Sequence, residues 1–353
     1  MSDRRRAGAG AMVAAALLCG CGAADGATEL VGIGASSQSA AMEGWKAGYG
    51  ERTLGVEVVY DPVGSGGGRE AFLAGAAHFA GSDAALDDEE YAASIRSCAG
   101  GLGAINLPVY ISPIAVMYNL PSIEGHTLNL TPDTVAAIFA GAITRWDDPM
   151  IAAHNPGLPL PSTAINPVHR SDESGTTKNF TQYLAAVAPT AWRYGVFESW
   201  DVGPPGGEGA SGTAGVVGAV SVGVGSIGYG DASLLGDLPA AAILVGDEFV
   251  QSTAEAAAAV VRASPRVEGR GEHDFTFDLQ RDLPGTYPIV LVSYQIACLR
   301  YADTATAEQV RRFLSFVVSP DGQALANLSA GSAPLPDDVA ARMAAAVAAI
   351  AGE

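Results

Sequence analysis

From about residue 28 onward, short apolar runs rich in β-branched residues alternate with stretches of helical character. That alternation is the strongest constraint on the fold, because it selects an α/β architecture. Residues 29–33, 56–61 and 77–82 read as strands, and residues 40–49, 69–76 and 87–97 as helices. The helix at 87–97 is entered through acidic residues, which suit the positive end of a helix dipole. Two apolar strands, 104–109 and 114–118, are expected on either side of Ser112-Pro113. Further helices are expected at 132–139, 177–186, 212–222, 306–318 and 337–350. The last two follow an apolar run at 289–297 that is long enough to carry the chain back to the first domain. The glycine- and proline-rich segment 203–212 reads as a surface loop.

Three segments share one design, a Gly/Ser/Thr loop running straight into a helix. They are Gly32-Ile33-Gly34-Ala35-Ser36-Ser37-Gln38, Val63-Gly64-Ser65-Gly66-Gly67-Gly68 and Arg170-Ser171-Asp172-Glu173-Ser174-Gly175-Thr176-Thr177. The first turn of a helix leaves backbone N–H groups unpaired, and together with the helix dipole these bind anions. Glycine lets the backbone approach closely, and the hydroxyls add donors. One such loop is an ordinary helix cap; three of them, one carrying an arginine, point to an anion site.

Charge limits what that site can be. The formal net charge is −19, Lys46 and Lys178 are the only lysines, and no basic patch exists beyond Arg4, Arg5 and Arg6. A nucleic-acid footprint is therefore missing. An acidic chain repels anions at long range, so capture must rest on local hydrogen bonds. Gly223-Val224-Gly225-Ser226-Ile227-Gly228 matches a dinucleotide fingerprint in letters only. A helix precedes it where a strand is required, so it reads as a tight turn into a strand through Tyr229. No Walker motif and no Gly-x-Ser-x-Gly elbow occur, and the five histidines lack metal-ligand spacing. No cofactor, metal centre or catalytic group is expected, and the chain reads as a binding protein and not an enzyme.

The first residues set the expected compartment. Arg4–Arg6 followed by a short apolar stretch to Leu18 fit a secretory signal and fall short of a membrane span. Leu18-Cys19-Gly20-Cys21 resembles the bacterial lipoprotein box, and Cys21, preceded by a small residue, is the expected lipidation site. Residues 1–20 would be a lipoprotein signal peptide and 21–27 a tether, leaving the protein anchored at the outer face of the cytoplasmic membrane. The remaining cysteines, Cys98 and Cys298, form an even pair in an exported chain and are expected to be bonded.

These motifs, with Gly81-Ser82-Asp83-Ala84, Ile143-Thr144-Arg145-Trp146-Asp147-Asp148-Pro149 and Asn155-Pro156-Gly157, occur in an order similar to that of the phosphate-binding proteins of bacterial phosphate-specific ABC transporters. The resemblance runs over nearly the whole mature chain. It implies a type II periplasmic-binding-protein fold with two α/β domains, a cleft between them and two crossover strands at the hinge. Domain I would comprise residues 28–112 plus 288–353, and domain II residues 113–287. It also implies a monomer that serves membrane permease subunits coupled to a separate ATPase. Ser36, Ser37, Ser65, Asp83, Arg170, Ser174, Gly175 and Thr176 would bind inorganic phosphate, with Asp172 pairing to the arginine. Ser37 would act through its backbone N–H, and Glu173 departs from the family by adding a negative charge beside the site.

The chemistry of Asp83 agrees with that assignment. Protonated phosphate offers an O–H to a carboxylate, whereas sulfate at neutral pH offers none, so an acceptor-only group rewards the first and repels the second. Other tetrahedral oxyanions, and a phosphate sensor uncoupled from transport, stand as the alternatives.

Overall fold

A computed structural model describes residues 28–353. The proposed leader, Cys21 and the tether lie outside the described residues. Eight strands form one sheet: β1 (Thr28–Gly34), β2 (Val56–Asp61), β3 (Phe79–Ser82), β4 (Ala104–Tyr118), β5 (Asn166–Arg170), β6 (Glu208–Ala210), β7 (Ser226–Asp231) and β8 (Val290–Cys298). Their order is β2-β1-β3-β8-β4-β7-β5-β6. β1 runs parallel to β2 and β3, and β5 runs parallel to β6 and β7. β8 and β4 pair antiparallel at the centre, so two parallel α/β units meet through an antiparallel seam.

The seam explains a difference from the sequence reading. The two strands expected around Ser112-Pro113 are one buried strand of 15 residues. Its first part, Ala104 to Pro113, pairs with β8, and Ile114 to Tyr118 pair with β7. Pro113 stands at the hand-over between partners, and Pro108 faces the irregularity between Ser293 and Tyr294. Prolines are tolerated in strands at such breaks in the ladder, where a missing N–H is not called for. β4 is thus one crossover between two lobes, and the chain returns through Tyr287–Val290, where Ile114 N donates to the Ile289 carbonyl and Tyr287 Oη to that of Ile114.

Most other elements lie within a few residues of expectation. The helix expected from residue 69 instead spans Ser65–Leu73. Its Gly66-Gly67-Gly68 start has poor helix propensity, yet a Cβ on Gly68 would lie 2.4 Å from Gly34 Cα. Close packing against the β1 loop therefore overrides propensity. Segment 203–212 contributes the short edge strand β6, and helices Ala254–Ala263 and Pro320–Ala330 were not anticipated. Cys98 and Cys298 are bonded across a sequence separation of 200, tying the end of helix Asp88–Ser97 to the end of β8.

Candidate anion-binding site

Each of the three loops leaves the end of a strand and enters a helix: β1 into the 3-10 turn Ser36–Gln38 and helix Ser39–Gly50, β2 into helix Ser65–Leu73, and β5 into helix Gly175–Val187. In an open α/β sheet, the carboxyl ends of strands are where ligands bind. The first two loops lie on one lobe and the third on the other, and all three meet at Asp83, just beyond β3. Asp83 is 3% exposed.

Hydroxyls surround the Asp83 carboxylate. Ser37 Oγ donates to Oδ1 and Oδ2 at 2.7 and 2.8 Å, Ser293 Oγ to Oδ1 at 2.6 Å, and Thr176 Oγ1 to Oδ2 at 3.0 Å. The Asp83 N–H donates to Ser65 Oγ at 3.0 Å, and Asn179 Nδ2 donates to the Asp83 carbonyl at 2.7 Å. Burial lifts the Asp83 pKa above the ordinary carboxylate value, while Ser293, Ser37, Thr176 and the charge of Arg170 oppose that rise. Charge at this position depends on the donors around it.

Arg170 is 2% exposed. Its Nε donates to Asp172 Oδ1 at 2.7 Å, Nη2 donates to Asp172 Oδ2, and Nη1 lies 3.4 Å from Thr213 Oγ1. Burial works against the Asp172 carboxylate, but Arg170 and the Gly212 N–H outweigh it and hold its pKa below the usual range. Ser174 caps its helix, its Oγ accepting from Thr177 N at 3.2 Å. Gly175 is demanded by contact, since a Cβ there would lie 2.6 Å from Ser65 Oγ and 2.8 Å from Asp83 Cβ. Glu173 is exposed; its carbonyl accepts from Gly66 N at 3.2 Å.

All eight proposed ligand residues are therefore buried around one point, with Asp172 behind the arginine. Ser37 differs from the expected backbone role in that its hydroxyl donates to Asp83. His169 is a strand residue stacked on Trp200 with ring centroids 4.5 Å apart.

Several participants escaped the sequence reading. A fourth helix start, Ser211-Gly212-Thr213, enters helix Gly212–Val222, and Thr213 N donates to Ser36 Oγ at 3.1 Å. It has the same loop-into-helix design, hidden by the glycine-rich segment before it. Ser293 lies in β8, whose apolar run is broken at alternate positions by Ser293 and Gln295. That period of two, placing polar groups on one face of a buried strand, was the available signal. Arg69, 3% exposed, donates to Ser82 Oγ, Glu90 Oε1 and, from the other lobe, Glu198 Oε2 at 2.7 Å; no local motif announces that pair. Among the described residues no cluster of His, Cys, Asp and Glu has metal-binding geometry, and no helix is long and apolar enough to cross a membrane.

Two lobes with helix starts converging on a shared polar point define a substrate-binding protein, and the family model for the PBP superfamily domain matches residues 22–321. The chain belongs to that superfamily and, within it, to the PstS family of phosphate-binding proteins. It is 37% identical over 333 residues to phosphate-binding protein PstS 2 of Mycobacterium tuberculosis, covering 92% of this chain and 88% of that one. The phosphate-binding protein PstS of Xylella fastidiosa is 34% identical over 303 residues, 85% of this chain and 79% of the relative. The structure of the periplasmic phosphate-binding protein PfluDING bound with phosphate superimposes with a TM-score of 0.73 at 24% identity, covering 90% of this chain and 93% of that one. A phosphate-binding protein from Stenotrophomonas maltophilia gives 0.69 at 19%, with the same coverages. Both show the type II periplasmic-binding-protein fold.

Proposed function

We propose that this protein captures inorganic phosphate between its lobes outside the cytoplasm and delivers it to the permease of an ABC importer. The observation that carries the reading is a single buried carboxylate, Asp83, set among hydroxyl donors from both lobes and close to a buried arginine. Ser36, Ser37, Ser65, Arg170, Ser174, Gly175 and Thr176 donate to the anion, and Asp83 accepts its proton. Asp172 holds Arg170 in position. Neutral dipoles and one cation in a dry site bind an anion without needing a basic surface. The names of the relatives support the same ligand.

The change of partner along β4 and the return before β8 support a division into residues 28–112 plus 288–353 and residues 113–287. Transport further requires permease subunits and an ATPase on separate chains, with this chain held to the membrane through a lipid on Cys21. Calorimetric titration of ligand-stripped protein tests the binding claim. Phosphate and arsenate, alike in shape and protonation, bind, and sulfate does not. Equal binding of sulfate overturns phosphate capture in favour of general oxyanion binding.

A further inference from the structure

Behind Asp83, on the side away from Thr176, runs a buried chain of amides and a hydroxyl. Gln295 Nε2 donates to Gln38 Oε1 at 2.7 Å, Gln38 Nε2 to Ser293 Oγ at 2.6 Å, and Ser293 Oγ to Asp83 Oδ1 at 2.6 Å. Gln38, Ser293 and Gln295 have no solvent exposure. The direction of this chain is fixed by one atom. Gln38 Nε2 also donates to the Tyr294 carbonyl at 3.0 Å, and a backbone carbonyl can only accept. The Gln38 atom facing β8 is therefore nitrogen, so Ser293 Oγ receives a proton from Gln38 and must send its own O–H onward. Its onward partner is Asp83.

The arrangement is built at some expense. Gln295 Oε1 is buried without a hydrogen-bond partner among the described residues, an unfavourable arrangement for a polar atom. Ser293 also lies where the β8–β4 register shifts, and bulges of this kind re-aim side chains beside functional sites. The geometry divides the carboxylate: Oδ1 is held by Ser293 on β8, whereas Oδ2 faces Thr176 on the opposite lobe.

We propose that Gln295, Gln38 and Ser293 form a directional relay that keeps Asp83 an acceptor-only carboxylate and thereby sets the preference for protonated oxyanions over sulfate. Ser293 is a positioning residue, acting on the anion through Asp83. The inference rests on phosphate capture as the function of the cleft and adds the source of its selectivity. Without the Ser293 donor, burial drives Asp83 toward its protonated form. A carboxylic acid can donate to sulfate, so discrimination falls even though every proposed anion ligand remains.

The test compares phosphate and sulfate affinities of full-length wild type, Ser293→Ala and Gln38→Met at neutral pH and fixed ionic strength. The phosphate-to-sulfate ratio falls about ten- to a hundredfold in Ser293→Ala, as for loss of a hydrogen bond to a charged group. Gln38→Met, which leaves the hydroxyl but frees its direction, gives a smaller fall in the same sense. An unchanged ratio in folded Ser293→Ala overturns the relay while leaving phosphate capture intact. If that variant does not fold, an unchanged ratio in Gln38→Met overturns the relay instead. A wild type that binds neither anion, or shows no preference, overturns the functional reading and the relay with it.

Discussion

At Asp83 a carboxylate is buried yet offered hydroxyl donors from three separate segments, Ser37, Thr176 and Ser293. Replacing it by asparagine keeps the shape and one acceptor but introduces a donor. In Asp83→Asn, phosphate binding therefore changes modestly while sulfate binding rises, and the affinity ratio collapses. Titration of both anions checks this; a wild-type ratio in a folded variant places discrimination elsewhere in the cleft. Asp83 was singled out in the sequence through the family resemblance, and its acceptor-only chemistry suits donor-rich loops. The polarity of its surroundings was not legible there, since Ser293 lies 210 residues away and only the folded sheet brings it within 2.6 Å. Arg69 and Glu198, 129 residues apart, were hidden for the same reason.

Among the elements, β4 links the two lobes, and the end of β7 fastens it. Asp231, on β7, accepts from Tyr110 Oη at 3.1 Å and Ser112 Oγ at 3.0 Å, both on β4, and from Ser233 N at 2.8 Å. Its Oδ2 has no partner among the described residues, and burial pushes its pKa up to about 6. Because the folded state binds this proton more tightly than the unfolded one, the group's contribution to stability falls as pH rises from about 4 to about 6. Asp231→Asn removes that dependence while retaining the Oδ1 acceptor. The variant gains on the order of 2 kcal/mol relative to wild type at pH 7, and the gain shrinks toward pH 4. Thermal melts across that range check it, and a pH-independent difference sinks it. Most helices and the parallel strands β1 to β3 were readable because each carries its own periodicity and loop chemistry. Helices Ala254–Ala263 and Pro320–Ala330 and the edge strand β6 were not. Nor was the continuity of β4, because a proline inside an apolar run reads as a break until the change of partner at Pro113 is seen.

For the molecule as a whole, an ion pair beside the third loop also joins the two lobes. Glu198 accepts from Arg69 Nη2 at 2.7 Å across the cleft and from Lys178 Nζ at 2.5 Å. Burial opposes the Glu198 carboxylate, but the two cations outweigh it and hold its pKa below the usual range. Glu198→Gln alters only the side chain and leaves in place the Glu198 carbonyl that accepts from Ser174 N at 3.1 Å, yet it weakens the closed form. Phosphate dissociates about tenfold faster in stopped-flow measurements, as for loss of one charge-assisted contact; an unaltered release rate refutes the latch. Anchoring also belongs to this scale: Cys21→Ser abolishes lipid labelling and membrane retention, and persistence of both refutes Cys21 as the attachment point.

The place of β8 between β3 and β4 also governs the order in which the molecule can be completed during synthesis. As the chain emerges from its amino end, β1 to β4 appear early, but the strand that fills the gap between β3 and β4 begins only at Val290. Until then, Cys98 has no Cys298 to meet, and Asp83 lacks Ser293. The strands of the second lobe, β5 to β7, are all available before that point. The segment made first is therefore finished last: one lobe waits, incomplete and reduced, for a strand almost 200 residues further along the chain. A chain of this topology can close its disulfide and bring Ser293 to Asp83 only after nearly all of it has been synthesised.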